Sequence, residues 1–536
     1  MKKKMFFMCS LLCLTVEAKA EQDITMEMRK LQTAFYAIAT FYVDSIDGKK
    51  VVEDAITGML EKLDPHSAYA DPVETKDMNE SMQGNFDGIG IQFNMLTDTL
   101  YVIQVIAGGP SEKVGLMAGD RIIFVDDTLV AGVKIKTKDI MSRLRGPKGT
   151  EVTIKVQRNR NPELMEFRIV RGKIPVYSLD ASYMLNKTTG YIKLNRFAAT
   201  TVDEFRTALK QLTKEGMKHL ILDLQGNGGG VFGAAVSLAE DFLDPDRLIV
   251  YTEGRNVPRE EVHSGAEGQF RTGRLVVLVD ESSASAGEIL SGAIQDWDRG
   301  VLVGRRTFGK GLVQRPVSLP DGSMIRLTVS RYYTPSGRSI QKPYENGKEE
   351  DYRRDLIERY NRGELISADS IHFPDSLRYA TLKSRRTVYG GGGIMPDVFI
   401  PLDTNLYSDY HRKLNAANLF NRVAMTYLDE HRSAITSRYR DFKAYKENFS
   451  IHTALLQELR SLADADSIHF DSAQYARSSP VIALQLKALL ARDLYGTSEY
   501  YRIINDTNNS LREALRLIND SETYARYLSA GKKEDE

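Results

Sequence analysis

The chain has 536 residues, too many for one ordinary hydrophobic core, so several domains are expected. Hydrophobic residues make up 42% and charged residues 27%, which is ordinary for a globular protein. The formal net charge is zero and no long basic run occurs, which argues against nucleic acid as the main partner.

In chain order, Lys2, Lys3 and Lys4 precede the short apolar run "MFFMCSLLCLTV" (5–16), and "AKA" (18–20) supplies small residues for cleavage. This pattern predicts a secretory signal at 1–20, cut after Ala20, and not a permanent anchor. Losing four Lys and one Glu takes the formal charge from zero to −3. Cys9 and Cys13, the only cysteines, fall inside the signal, and neither follows the small residues that a lipid-attachment cysteine needs. The mature chain then has no thiol for a nucleophile, a disulfide or a zinc site. No later run of 18 apolar residues appears, so the body is expected to be soluble outside the cytoplasm.

Residues 21–82 carry helical periodicity in "MRKLQTAFYAIATFYVD" and "VVEDAITGMLEKLD", interrupted by the Pro-rich "DPHSAYADP" (64–72). From 83 to 173 the pattern turns to short strands, "GIGIQFN", "LYVIQVI", "DRIIFVDD" and "EVTIKVQRN", with short helices at "SEKVGL" and "TKDIMSRLRG". Residues 174–405 alternate strands ("GYIKL", "HLILDLQ", "RLVVLVD", "GVLVG") with helices ("VDEFRTALKQLTKEG", "VFGAAVSLAEDFL"). That succession implies crossover units and a partly parallel sheet. Residues 342–388 look like a charged insertion with a helix. Residues 406–536 are helical and polar, ending in the tail "GKKEDE".

Three stretches carry chemistry. "SSASAGEIL" (282–290) places Ser285 three residues before Glu288, the spacing of a helix capping box. A serine there is also a nucleophile if a base takes its proton. The eight histidines form no constellation and nothing matches H-E-x-x-H. "TFGKGLVQ" (307–314) offers Lys310 between two glycines, either a solvated loop lysine or, if buried and neutral, a base. "DLQGNGGG" (223–230) is a strand-to-helix turn whose amides suit an oxyanion, a nucleotide phosphate, or simply a turn. Residues alone leave these alternatives open.

Taken together, the series resembles the carboxyl-terminal processing peptidases, exported serine endopeptidases with a PDZ domain. From about residue 60 to 400, "LDPHSAYA", "GIGIQF", "GGPSEKVGLMAGDRIIFVDD", "LRGPKGTEVTIKVQR", "LILDLQGNGGG", "SSASAGEIL", "VGRRTFGKGLVQ", "YYTPSGRSIQ" and "GGIMPDV" follow the family's order. The resemblance implies a multidomain α/β protein: an N-terminal helical segment, a PDZ domain, a mixed α/β (ClpP/crotonase-like) peptidase core and a C-terminal helical region. It implies Ser285 as nucleophile, Lys310 as general base and Gln314 as the residue orienting that lysine. It assigns the oxyanion hole to the amides of Ala286 and Gly229, and the substrate C-terminus to Gly88, Ile89, Gly90 and Ile91. No metal or cofactor is implied. The expected partners are polypeptides with a free C-terminus, with a homo-oligomer or helper protein left open, in a periplasmic setting. Gln225 stands where the family commonly has Arg, and Gly287 where it commonly has Ser. A non-catalytic PDZ-containing scaffold is the alternative, and the presence of Ser285, Lys310 and Gln314 weighs against it.

Overall fold

The structure is a computed structural model and describes residues 24–96, 98–158, 161–266 and 268–529. The predicted signal at 1–20, both cysteines and the tail "GKKEDE" lie outside these residues. Among the described residues, no helix is long and apolar enough to cross a membrane.

A six-stranded sheet forms the centre. Its order is Leu179–Met184, Thr189–Leu194, His219–Asp223, Leu275–Val279, Val301–Gly304 and Val398–Phe399. The first pair is antiparallel and the other four are parallel. The strands "HLILD" and "LVVLV" are apolar on both faces because both faces are covered. Alternation sorts their side chains: Leu220, Leu222, Val277 and Val279 face one core, while Ile221, Val276 and Leu278 face another. The first core is closed by helices Thr201–Lys214, Phe232–Glu240 and Ala286–Asp296.

The second core is closed from a distance. Leu511, Ala514, Leu517 and Ile518 of helix Asn509–Asn519, with Tyr524 of helix Ser521–Leu528, fill it. The Tyr524 hydroxyl donates to the Leu275 carbonyl (2.9 Å) and accepts from the Leu275 N–H (3.0 Å). Fully burying a Leu or Ile contributes about 1.5–3 kcal/mol, so this is a substantial seal. The sequence reading divides the chain at 405/406. The packing instead brings 509–528 into the central sheet, while the helices between Asp409 and Tyr495 build their own core around Phe420, Leu455 and Leu486. Apolar periodicity marks a buried face but not its partner, which is why the two sets of helices look alike in sequence.

A five-stranded antiparallel sheet flanks the centre, with the long strand Met324–Tyr333 pairing Leu312–Ser318, Leu248–Glu253 and Ala68–Ala70. The Pro-rich break at 64–72 therefore contains a strand that ties the N-terminal helices to the core. The PDZ portion holds the sheet Ile91–Leu96, Thr99–Val105, Arg121–Val125, Glu151–Gln157 and Met165–Val170, with helices Pro110–Lys113 and Thr137–Leu144. Arg145 bonds Asp77 of helix Pro72–Gln83 (2.7 Å), and Arg121 pairs with Asp429 of helix Leu419–Arg438.

Candidate active site

Loops at the carboxyl ends of neighbouring parallel strands carry the residues in question. Strand Leu275–Val279 ends in Asp280, whose carboxylate accepts from Gly226 N–H (3.0 and 3.1 Å), Ser282 N–H (3.0 Å) and Ser283 N–H (3.1 Å). One carboxylate thus fastens the glycine loop to the serine turn. Ser283 is buried and its hydroxyl lies 2.7 Å from the Leu224 carbonyl, so it serves the turn.

Ser285 is the N-cap of helix Ala286–Asp296, with φ +54° and ψ −114°. A non-glycine residue pays strain energy in this region, which the surroundings must hold. Glu288 N–H donates to the Ser285 main-chain carbonyl (2.8 Å), and Ser285 N–H donates to Glu288 Oε2 (2.8 Å). Glu288 thus closes back on the N-cap amide, as the capping-box spacing predicts. The Ala286 N–H has no acceptor among the described residues.

Glu288 does more than cap. It is fully buried, and Oε2 also accepts from Lys310 N–H (2.9 Å). Oε1 accepts from the Thr307 hydroxyl (2.6 Å) and Gly309 N–H (2.8 Å). Burial pushes its pKa up to about 7 against four hydrogen bonds that favour the carboxylate. Beneath it, the buried Tyr332 hydroxyl donates to the Lys310 carbonyl (2.5 Å), with the Ser285 carbonyl 3.2 Å away.

Lys310 is partly buried. Burial first, then the nearby Arg326 charge, hold its pKa below the ordinary 10.5, while Glu288 and Asp64 oppose the shift. Gln314 Nε2 donates to Thr328 Oγ1 (3.1 Å), whose hydroxyl donates to Asp64 Oδ1 (2.9 Å). That engages the donor end of the Gln314 amide; a lysine ammonium needs its carbonyl end.

The predicted oxyanion glycine has a different immediate role. Gly229 N–H donates to Asn227 Oδ1 (2.9 Å), so in this arrangement it is engaged. Gly229 also has φ +94°, and an added Cβ would stand 2.7 Å from Ser285 Cβ and 3.1 Å from Ala286 N. Only glycine permits the loop to press this closely on the serine.

In the PDZ portion, the carbonyl of buried Ile89 accepts from Ser111 N–H (3.0 Å) and the Ser111 hydroxyl (2.7 Å), and Gly90 O accepts from Ile106 N–H (3.0 Å). Both carbonyls are consumed inside the domain. The N–H groups of Ile89 and Gly90 have no acceptor among the described residues. Gly90 has φ +80°, Gly88 pairs with Gly172, and Ile91 opens an edge strand.

Comparison with known proteins decides the family. Residues 188–353 match the model of peptidase family S41 and residues 88–169 that of a PDZ domain. Residues 11–75 match the activating protease CtpB N-terminal domain, and 410–496 a family of unknown function. A carboxy-terminal-processing protease of Bartonella bacilliformis is 34% identical over 334 residues, 61% of this chain and 75% of that protein. The carboxy-terminal processing protease CtpB of Bacillus subtilis is 33% identical over 331 residues, 61% of this chain and 68% of that protein. The chain belongs to the carboxy-terminal processing proteases of family S41.

This protease is thus a serine-type peptidase with a PDZ domain. Sequence reasoning missed the hub that Glu288 makes, and it missed Tyr332, Asn227 and Asp64. The S-x-x-E spacing gave Glu288 only as a cap. Asp64 lay inside the quoted "LDPHSAYA", but its link to Thr328 spans 264 positions, beyond any local signal. Among the described residues, no group of three metal-binding side chains occurs.

Proposed function

We propose that this protease is an exported endopeptidase that holds the free C-terminus of a polypeptide at 88–91 and cleaves it with Ser285 and Lys310. The boundaries that go with this reading are a signal at 1–20, an N-terminal region to 82, a PDZ domain at 83–173 and a peptidase core from 174. The setting is periplasmic, as the resemblance to bacterial members suggests. The observation that carries the chemistry is the shared acceptor: Glu288 Oε2 fixes the backbone of both Ser285 and Lys310.

Neutral Lys310 takes the hydroxyl proton as Ser285 Oγ attacks the scissile carbonyl carbon. The oxyanion is met by Ala286 N–H at the helix N-terminus, and Gly229 N–H joins once its bond to Asn227 Oδ1 opens. The Lys310 ammonium gives its proton to the leaving amine as the C–N bond breaks. Water then attacks the acyl-enzyme, its proton passes to Lys310, and Ser285 regains its hydroxyl. Gln314 orients the lysine through its amide carbonyl. The substrate tail adds as a strand to the free edge of Ile91–Leu96, with its carboxylate on the Ile89 and Gly90 amides.

The test is cleavage of an unstructured protein with an apolar C-terminus by residues 21–536, with Ser285→Ala and Lys310→Ala beside wild type. Loss in both folded variants, and indifference to a chelator, is the expected result. Cleavage by pure, folded Ser285→Ala would place the nucleophile elsewhere.

A further inference from the structure

Gln225 is gripped by the C-terminal segment at residues 508–510. Its Oε1 accepts from Asn508 Nδ2 (3.0 Å), and its Nε2 donates to Ser510 Oγ (3.4 Å). These partners lie 283 and 285 positions away. A neutral amide, with one donor and one acceptor end, matches the two polar groups facing it. Gln225 borders a cavity of about 350 Å³ at the strand ends, walled on the other side by residues 500–510.

Gln225 also sits at the root of the glycine loop. Its N–H donates to Asp223 Oδ1 (2.8 Å), and its carbonyl accepts from Lys193 Nζ (2.8 Å). Gly226 follows, held by Asp280. Next comes Asn227, whose carbonyl accepts from Ala284 N–H (2.9 Å) and whose amide donates to Leu194 O (3.0 Å). Gly229, the residue pressed on Ser285, is four positions beyond the grip.

Asn508 has a second task. Its Oδ1 accepts from Leu511 N–H (3.1 Å), capping the helix that seals the second face of the sheet. One side chain therefore joins the sealing helix to the glycine loop, through its two opposite ends.

We infer that Asn508 and Gln225 are positioning residues for the cleavage reaction: the C-terminal segment sets the height of the glycine loop against Ser285. This deepens the proposed Ser285 reading and rests on it. The pair bonds neither Lys310 nor residues 88–91, so it acts on turnover and leaves tail binding and the lysine's proton equilibrium alone.

The experiment separates the grip from the cap. Asn508→Ser keeps a good N-cap residue but is too short to reach Gln225. Asn508→Asp keeps the cap and the reach, because the Gln225 amide can turn its donor end to the new carboxylate. Each is measured in residues 21–536, alongside Gln225→Ala, the Asn508→Ser/Gln225→Ala double variant and Ser285→Ala. Expected are a kcat lowered roughly tenfold in Asn508→Ser and in Gln225→Ala, no further loss in the double variant, and near-normal turnover in Asn508→Asp. KM, Tm and the pH midpoint of kcat are expected to stay at wild-type values. A wild-type kcat in Asn508→Ser, losses that multiply in the double variant, or a loss tracking a fall in Tm would each overturn the inference. Cleavage persisting in Ser285→Ala is a separate readout, and it removes the inference through its premise.

Discussion

Ser285 and Lys310 hang from a single oxygen: Glu288 Oε2 accepts the Ser285 N–H at 2.8 Å and the Lys310 N–H at 2.9 Å. The two residues sit on loops that follow different strands of the sheet. Glu288 converts two independent loops into one rigid unit, so the serine and the lysine keep their relative backbone positions.

Glu288→Gln tests that unit. Each carboxylate oxygen receives two donors, so either orientation of the amide turns an NH₂ onto two donor groups. A loss of about 2–4 kcal/mol in urea unfolding is expected, with kcat lowered at least roughly tenfold. The wild-type group has a folded pKa of about 7 against an ordinary 4.5, so between those values the native state binds a proton that the unfolded chain has released. Stability from this group therefore falls as pH rises through that window, and Glu288→Gln removes that slope.

The charges around Lys310 give two pH shifts of opposite sign. Burial and then Arg326 lower its pKa, while Asp64 raises it. With the neutral lysine as base, kcat climbs with pH through the lowered value. Arg326→Gln moves that rising limb to higher pH, and Asp64→Asn moves it to lower pH. In stability the unfolded chain binds the extra proton between the lowered pKa and 10.5, so this group's contribution rises with pH there. A kcat profile unmoved by both substitutions would contradict the role of Lys310.

Gly229→Ala meets two obstacles. The backbone is at φ +94°, and the new methyl would lie 2.7 Å from Ser285 Cβ and 2.8 Å from the Ala284 carbonyl. A loss of roughly 2–4 kcal/mol is expected in thermal unfolding. Turnover is expected to fall about 100-fold, since the serine must shift.

Helix Glu349–Asn361 braces the loop that carries Lys310. Arg359 of helix Glu349–Asn361 is 1% exposed and donates to Arg306 O (2.8 Å) and Thr307 O (3.1 Å). Arg359→Met leaves both carbonyls without that donor and removes the positive charge 3.7 Å from Glu364 Oε2. It is expected to cost about 3 kcal/mol and to lower kcat more than it raises KM. Arg359→Lys keeps the charge but not the fork, and an intermediate loss is expected.

Asp429→Ala tests how the PDZ domain is seated. Arg121, stacked 5.0 Å from the Tyr101 ring centre, loses its carboxylate partner on helix Leu419–Arg438. Faster nicking by an added protease at 176–178, between strands Gly172–Pro175 and Leu179–Met184, is expected, with tail-peptide affinity unchanged. Equal nicking rates would mean that the pair does not hold the domain.

Much of the strand and helix pattern from 83 to 405 was legible: strand Glu151–Gln157 and helix Thr201–Lys214 carry periods of two and 3.6, and the doubly buried strands His219–Asp223 and Leu275–Val279 show as short apolar runs, whereas strands Leu248–Glu253 and Glu260–His263 were not read. Ser285 and Lys310 were singled out by the resemblance, and Glu288 by its spacing to Ser285. The rest depended on long-range meetings that leave no local trace. Asp64 and Thr328, Gln225 and Asn508, and Tyr524 and Leu275 are each ordinary polar or apolar positions until the chain folds. The engagement of Gly229 N–H by Asn227 is a matter of loop conformation, which a run of glycines does not specify.

The seal on the central sheet also sets a schedule. Leu275 waits for Tyr524 across 249 positions, and the strands beside it wait for Leu511, Leu517 and Ile518. A chain emerging N-terminus first lays down Ser285 and Lys310 well before the helices that roof the far side of their sheet. During that interval the strands expose one apolar face, and the loops they carry lack a firm base. Completion of the sheet's second core is thereby tied to the arrival of residues 511–524.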